Sequence, residues 1–259
     1  MDLGLKGRLA VITGGSVGIG LAIAEGFAKE GVNILIAARG HERSKAEAAR
    51  IAADYGVRAE AVHADVATAD GCERVIAAAR GMGGAHILIN NAGTGSEETI
   101  LTAEDARWQF YWDLHVMAAV RLARGIVPQM KAHGGGVVLH NASICAVQPL
   151  WYEPIYNTTK AALMMFSKTL ANEVVGDNIR VNTVNPGLVL TPDWIKTAKL
   201  LAGDNWQAHL DKVAEEAGGM KRFASPEEIA NLFVFLSSDK ASYATGSTYF
   251  IDGGWLKTV

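Results

Sequence analysis

Short runs that are apolar at nearly every position alternate along the chain with amphipathic stretches. Leu9–Thr13 precedes Leu21–Glu30, Asn33–Ala38 precedes Glu42–Tyr55, and Ala59–His63 precedes Cys72–Arg80. The rhythm continues through Ile87–Asn90, Gly136–Asn141 and Ile179–Asn185. Strands that are apolar on both faces must be covered on both, and strands separated by helices pair in parallel. The pattern predicts an α/β fold: a doubly wound parallel sheet between two helical layers.

No Pro/Ser-rich linker, internal repeat or low-complexity tract interrupts this rhythm, so residues 1–259 are expected to form a single domain. One segment departs from it. Pro192–Arg222 is helix-like and rich in Lys, Glu and Trp, as expected of an inserted substrate loop or lid.

Composition narrows the chemistry. With 49% apolar residues among 259, a substantial core is available. A net charge of −3 without any Lys/Arg block argues against nucleic acid or a membrane surface as partner, leaving a small molecule. Cys72 and Cys145 stand far apart with no Cys/His cluster, which predicts reduced thiols and no metal site. No apolar run approaches a membrane span, and the Met1–Arg8 start is short and mixed in character, so a soluble, cytoplasmic protein is expected.

After Leu9–Thr13 comes Gly14-Gly15-Ser16-Val17-Gly18-Ile19-Gly20. Glycines at 14, 18 and 20 permit a tight turn and close backbone approach to a pyrophosphate, where a helix N-terminus presents unpaired N–H groups. Tyr156 and Lys160 lie four residues apart, sharing a helix face, and Tyr156 follows Ser143 by thirteen residues. A phenol titrating near about 10 needs a nearby cation to act as a base at neutral pH, and Lys160 supplies one. Ser143, just past the Gly136–Asn141 run, is suited to hold a substrate oxygen.

This TGxxxGxG turn resembles that of the short-chain dehydrogenase/reductase family. Asn90-Asn91-Ala92-Gly93, Tyr156-x-x-x-Lys160, Asn185-Pro186-Gly187, Ser225–Ala230, Thr245-Gly246 and Asp252-Gly253-Gly254 follow in the family's order, across almost the whole chain. The resemblance implies a Rossmann-like fold and hydride transfer between a nicotinamide and a carbonyl or secondary alcohol. It implies Tyr156 as acid/base, Lys160 as its electrostatic support and Ser143 as substrate anchor. It also implies cofactor contacts at Asp65 and Val66 (adenine), Asn91 with Ala92 and Gly93, Pro186 and Gly187, and Val189 and Thr191 (carboxamide). The implied assembly is a homotetramer, with the helices near Ala103–Lys131 and Pro154–Val175 at one interface and the C-terminal strand at another.

At the end of the second strand, Ala37-Ala38-Arg39-Gly40-His41 lacks the carboxylate that favours a free ribose 2′-hydroxyl, and Arg39 can pair with a 2′-phosphate. NADP is therefore expected, with NAD as the alternative, because Val17 occupies a turn position where many NADP-using relatives carry a basic residue. The family's helix asparagine is replaced by His115, twenty-eight residues before Ser143. Either His115 is a buried, satisfied side chain, or it relays protons in the asparagine's place and titrates near neutrality. His140 and Asn141 receive no role beyond strand-end packing.

Cys145, Val147, Gln148, Pro149, Leu150, Trp151 and Tyr152, with Trp194 and Trp206, suit a bulky apolar, cyclic or aromatic ketone, although such tryptophans also serve as plain core. An acyl-carrier-protein substrate finds no basic docking patch. Two rivals stay open: a dinucleotide-binding regulator whose catalysis has lapsed, motivated by the missing asparagine, and an extended-branch epimerase or dehydratase, which the length and glycine spacing disfavour.

Overall fold

The computed structural model describes residues 2–95 and 97–257, so the extreme ends of the expected 1–259 domain, Met1 with Thr258 and Val259, lie outside it. Strands β1 (Leu9–Thr13), β2 (Asn33–Ala38), β3 (Ala59–His63), β4 (Ile87–Asn90), β5 (Gly136–Asn141), β6 (Ile179–Pro186) and β7 (Thr248–Ile251) form one sheet in the order β3-β2-β1-β4-β5-β6-β7. Every ladder is parallel. The chain winds outward from β1, returns to its other side at β4, and so leaves a switch point between those strands at their carboxyl ends.

Alternation within the strands builds two cores. Ala10 and Ile12 of β1 face α1 (Gly18–Lys29), α2 (His41–Tyr55) and α9 (Pro226–Ser237) through Phe27, Ile51 and Phe233. Leu9 and Val11 face α3 (Ala69–Gly81), α5 (Ala118–Ala132) and α6 (Pro154–Val174) through Val75, Leu122 and Val174. Burying each such side chain contributes about 1.5–3 kcal/mol, which explains why the central strands admit few polar residues.

The 192–222 segment folds as two helices, α7 (Pro192–Ala202) and α8 (Trp206–Ala217), with Thr191 capping α7. Ahead of α5, α4 (Asp105–Trp112) runs into it through a π turn, Asp113–Met117. That local widening turns His115 inward, and it is buried. Among the described residues no helix is long and apolar enough to cross a membrane.

Candidate active site

The glycine turn is held open from below. Gly14 has φ +66° and a Cβ on Gly20 would lie 2.2 Å from the Gly14 carbonyl oxygen, so neither position tolerates a side chain. Helix α1 begins at Gly18 with no side-chain cap and no acidic residue in its first turn. Its first N–H groups are thus available to an anion, and a pyrophosphate fits them. A Cβ on Gly18 would stand 3.5 Å from Thr191 Cγ2, which brings the segment after β6 against the turn. Gly187 packs so closely on Asp252 that a Cβ would lie 2.8 Å from that residue's Cα.

Asn91 braces the same turn. Its Nδ2 donates to the carbonyls of Thr13 (2.9 Å) and Gly14 (3.3 Å), and the main-chain N–H groups of Asn91 and Ala92 donate to Thr13 Oγ1. The Asn91 amide expected beside a ribose is thus committed to the scaffold. Asp65 folds its carboxylate back onto the Ala67 N–H (3.0 Å), and Val66 is buried beside it. Arg39 is exposed, and among the described residues its guanidinium makes no hydrogen bond or ion pair, which leaves it available to a phosphate at the end of β2.

Ser143, Tyr156, Lys160 and His115 converge near the carboxyl ends of β4 and β5. Pro154 at the first position of α6 starts the helix that carries Tyr156 and Lys160 on one face. Lys160 is 3% exposed, donates to the Asn141 carbonyl at 2.8 Å, and lies 5.3 Å from the centre of the Tyr156 ring. Burial lowers its pKa to about 8, with nearby Cys145 opposing. Burial also pushes the Tyr156 phenol up, Cys145 and Glu153 add to this, and its hydrogen bond with Ser143 opposes. The lowering of the phenol expected from Lys160 is therefore outweighed: desolvation dominates and favours the neutral phenol of Tyr156. Ser143 Oγ accepts from the Cys145 N–H at 3.1 Å, which fixes the hydroxyl at the start of a short 3₁₀ turn.

His115 is satisfied on both sides. The Thr94 N–H donates to Nε2 (3.3 Å), so Nδ1 carries the proton toward Thr159 Oγ1 at 2.8 Å. Its ring stands edge-on to Tyr156, with centroids 5.6 Å apart. Burial, then the Lys160 charge, hold its pKa well below 6.5. Of the two readings of His115, this geometry and this shift favour the buried, satisfied side chain, with the imidazole neutral near pH 7.

Sequence reasoning missed Glu153, Thr159 and Thr94. Glu153 is half-buried, and its Oε1 would touch a Cβ placed on Gly95 at 2.8 Å. Its charge adds to the burial that raises the Tyr156 and Cys145 pKa values. Its position three residues ahead of Tyr156 was the only available signal. Trp194 packs on Phe223 and Trp206 under Lys199, within the two-helix insertion and its flank, while Trp151 is 82% exposed.

A family model described as enoyl-(acyl carrier protein) reductase matches residues 14–256. The chain belongs to the short-chain dehydrogenase/reductase family. It is 34% identical over 253 residues to dehydrogenase/reductase SDR family member 4 of Oryctolagus cuniculus, covering 96% of this chain and 94% of that protein. It is 33% identical over 255 residues to glucose 1-dehydrogenase 2 of Bacillus subtilis, covering 96% and 95%. Among solved structures, L-sorbose reductase from Gluconobacter frateurii, complexed with NADPH and L-sorbose, is 63% identical over the whole of both chains with a TM-score of 0.99. As a family member, the protein is an oxidoreductase acting on CH–OH/C=O groups with NAD(P).

Proposed function

We propose that the protein is an NADPH-dependent reductase of polyhydroxy ketones, interconverting a ketose and its polyol. The observation that carries this reading is the 63% identity, over full length, to an enzyme crystallised with NADPH and L-sorbose. The site supports it. Trp151 faces solvent, whereas a carboxylate, Glu153, stands at the start of α6 near enough to Cys145 and Tyr156 for its charge to raise both their pKa values. A carboxylate accepts hydrogen bonds from vicinal hydroxyls, which a simple aromatic ketone does not offer.

Bound NADPH supplies the hydride. Gly14, Gly18 and Gly20 with the N-terminus of α1 would hold the pyrophosphate, Arg39 would pair with the 2′-phosphate, Asp65 and Val66 would border the adenine, and Val189 and Thr191 the nicotinamide carboxamide. Ser143 donates to the substrate carbonyl oxygen and Tyr156 transfers its phenolic proton there, so the product alcohol gains one hydride and one proton. Lys160 stabilises the phenolate left behind. His115 acts as a neutral positioning group that orients Thr94, Thr159 and the Tyr156 edge. The helices α7 and α8 serve as a lid, and Trp112, Met165 and Phe250, all exposed on α4, α6 and β7, suit burial in a homotetramer.

The test is NADPH and NADH oxidation by purified protein against L-sorbose, D-fructose and a panel of cyclic and aromatic ketones. Turnover confined to ketoses with NADPH is the expected result. Turnover confined to aromatic or cyclic ketones would restore the apolar-substrate reading, preference for NADH would overturn the Arg39 role, and cofactor binding without any turnover would favour the regulatory one.

A further inference from the structure

Three side chains, from α6, the end of β5 and the residue after β4, form one continuous hydrogen-bonded bridge beneath the site. Lys160 Nζ of α6 donates to the main-chain carbonyl of Asn141, the last residue of β5 (2.8 Å). Asn141 Nδ2 donates to Asn91 Oδ1 (2.8 Å), and Asn91 Nδ2 donates to the carbonyls of Thr13 and Gly14. The bridge runs from the ammonium that supports Tyr156 across β5 and β4 to the turn after β1.

We propose that Asn141 is a positioning residue that ties the ammonium of Lys160 to the glycine turn, so that the two ends of the dinucleotide site are held in a single register. This inference rests on the reading of Lys160 and the glycine turn as parts of one nicotinamide site. The residue is buried, and a leucine or valine there would satisfy strand packing equally well. An amide in this place has a specific use, because its Nδ2 donates to Asn91 Oδ1 and so orients the Asn91 amide whose own Nδ2 grips the Thr13 and Gly14 carbonyls. A second observation agrees: Asn141 Oδ1 is itself buried with no hydrogen-bond partner, an expensive arrangement for an asparagine whose only task is packing.

Two consequences distinguish positioning from packing. The glycine turn loses one anchor of its brace when Asn91 loses its partner, so cofactor affinity falls. The Asn141 carbonyl that Lys160 grips then belongs to a residue no longer tied to Asn91, so it holds the ammonium less firmly and admits water. Lys160 is surrounded by Tyr156 and Cys145, by His115 across Gly93 and by His140, of which the histidines are held neutral by burial. A hydrated ammonium then titrates above the value of about 8 that burial imposes on it.

The experiment compares wild type with Asn141→Leu, close in volume and without a donor, and Asn141→Ser, which retains one. NADPH dissociation constants come from quenching of tryptophan fluorescence, and the pH dependence of kcat/KM from steady-state rates on the best ketone substrate. For Asn141→Leu the expected result is weaker NADPH binding, a loss in kcat/KM of about 10²-fold as for a small misplacement of a reacting group, and an alkaline limb displaced upward, with Asn141→Ser lying between. Wild-type affinity and limb in folded Asn141→Leu would overturn the proposal, as would lost activity with both unchanged. If Asn141→Leu fails to fold, the Asn141→Ser affinity decides alone. Because NADPH binding is read without substrate, absence of ketose turnover in wild type would sink the proposed function and leave this test intact.

Discussion

The Nδ1 of His115 lies 2.8 Å from Thr159 Oγ1, one residue from the lysine that supports Tyr156. Thr159 in turn donates to the Ile155 carbonyl (2.9 Å) inside α6, so the imidazole is locked to the helix that carries both reacting residues. The histidine acts through geometry: it has a fixed tautomer, a ring edge against Tyr156 and no charge to contribute near neutrality.

His115→Ala is therefore expected to leave the Thr94 N–H and the Thr159 hydroxyl without their partner and a ring-sized void beside Tyr156. The loss of stability should be about 2–4 kcal/mol, read by denaturant unfolding. Activity should fall with it, while the wild-type rate profile shows no limb near pH 6.5. A wild-type limb there that disappears in His115→Ala would return the titrating relay.

Lys160→Met separates stability from function. In the folded protein Lys160 titrates at about 8 instead of its ordinary 10.5, so below pH 8 the folded state bears the full cost of a buried charge. Between those values the unfolded chain binds the proton and the folded chain does not, so this contribution to stability rises with pH. The variant should be more stable at pH 7 by about 1–2 kcal/mol after allowing for the bare Asn141 carbonyl, a Tm rise of about 2–6 °C. The gain should shrink as pH rises from 8 toward 10.5, with turnover abolished throughout. Thermal unfolding at several pH values checks the sign.

Arg39 makes the cofactor preference testable by charge. Arg39→Ala removes a guanidinium that has no partner among the described residues, so folding stability should be unchanged. Loss of a charge-assisted bond of about 1.5–3 kcal/mol predicts NADPH binding weaker by about 10- to 150-fold with NADH binding unaltered. Equal effects on both cofactors would remove Arg39 from the phosphate site.

The strands and the Ser143, Tyr156, Lys160 set were legible in the sequence because each depends on local rules: unbroken apolar runs, glycines where backbone meets backbone, and an i,i+4 pair on one helix face. Every strand run from Leu9–Thr13 to Gly136–Asn141 has the bounds the pattern predicts. The electrostatics were not legible. Whether Lys160 depresses the Tyr156 phenol depends on how far burial outweighs a charge 5.3 Å away, and burial is a property of the assembled fold. Glu153 looks like any acid at a helix start until α6 is docked against Gly95.

Glu153→Gln tests the ketose reading at one atom pair. The substitution keeps shape and one acceptor but removes the charge, so hydroxyl recognition weakens while the space beside Tyr156 is unchanged. A site built to bond a substrate hydroxyl discriminates strongly when that bond is lost, and a reduction in kcat/KM of about 10²-fold or more is expected for a ketose. For a small ketone without further hydroxyls, kcat/KM should stay within about threefold, because neither Ser143 nor Lys160 is disturbed. Glu153 also raises the Tyr156 phenol, so the alkaline limb of the variant should move down. Equal losses on both substrates would assign Glu153 to the tyrosine alone and remove it from sugar recognition.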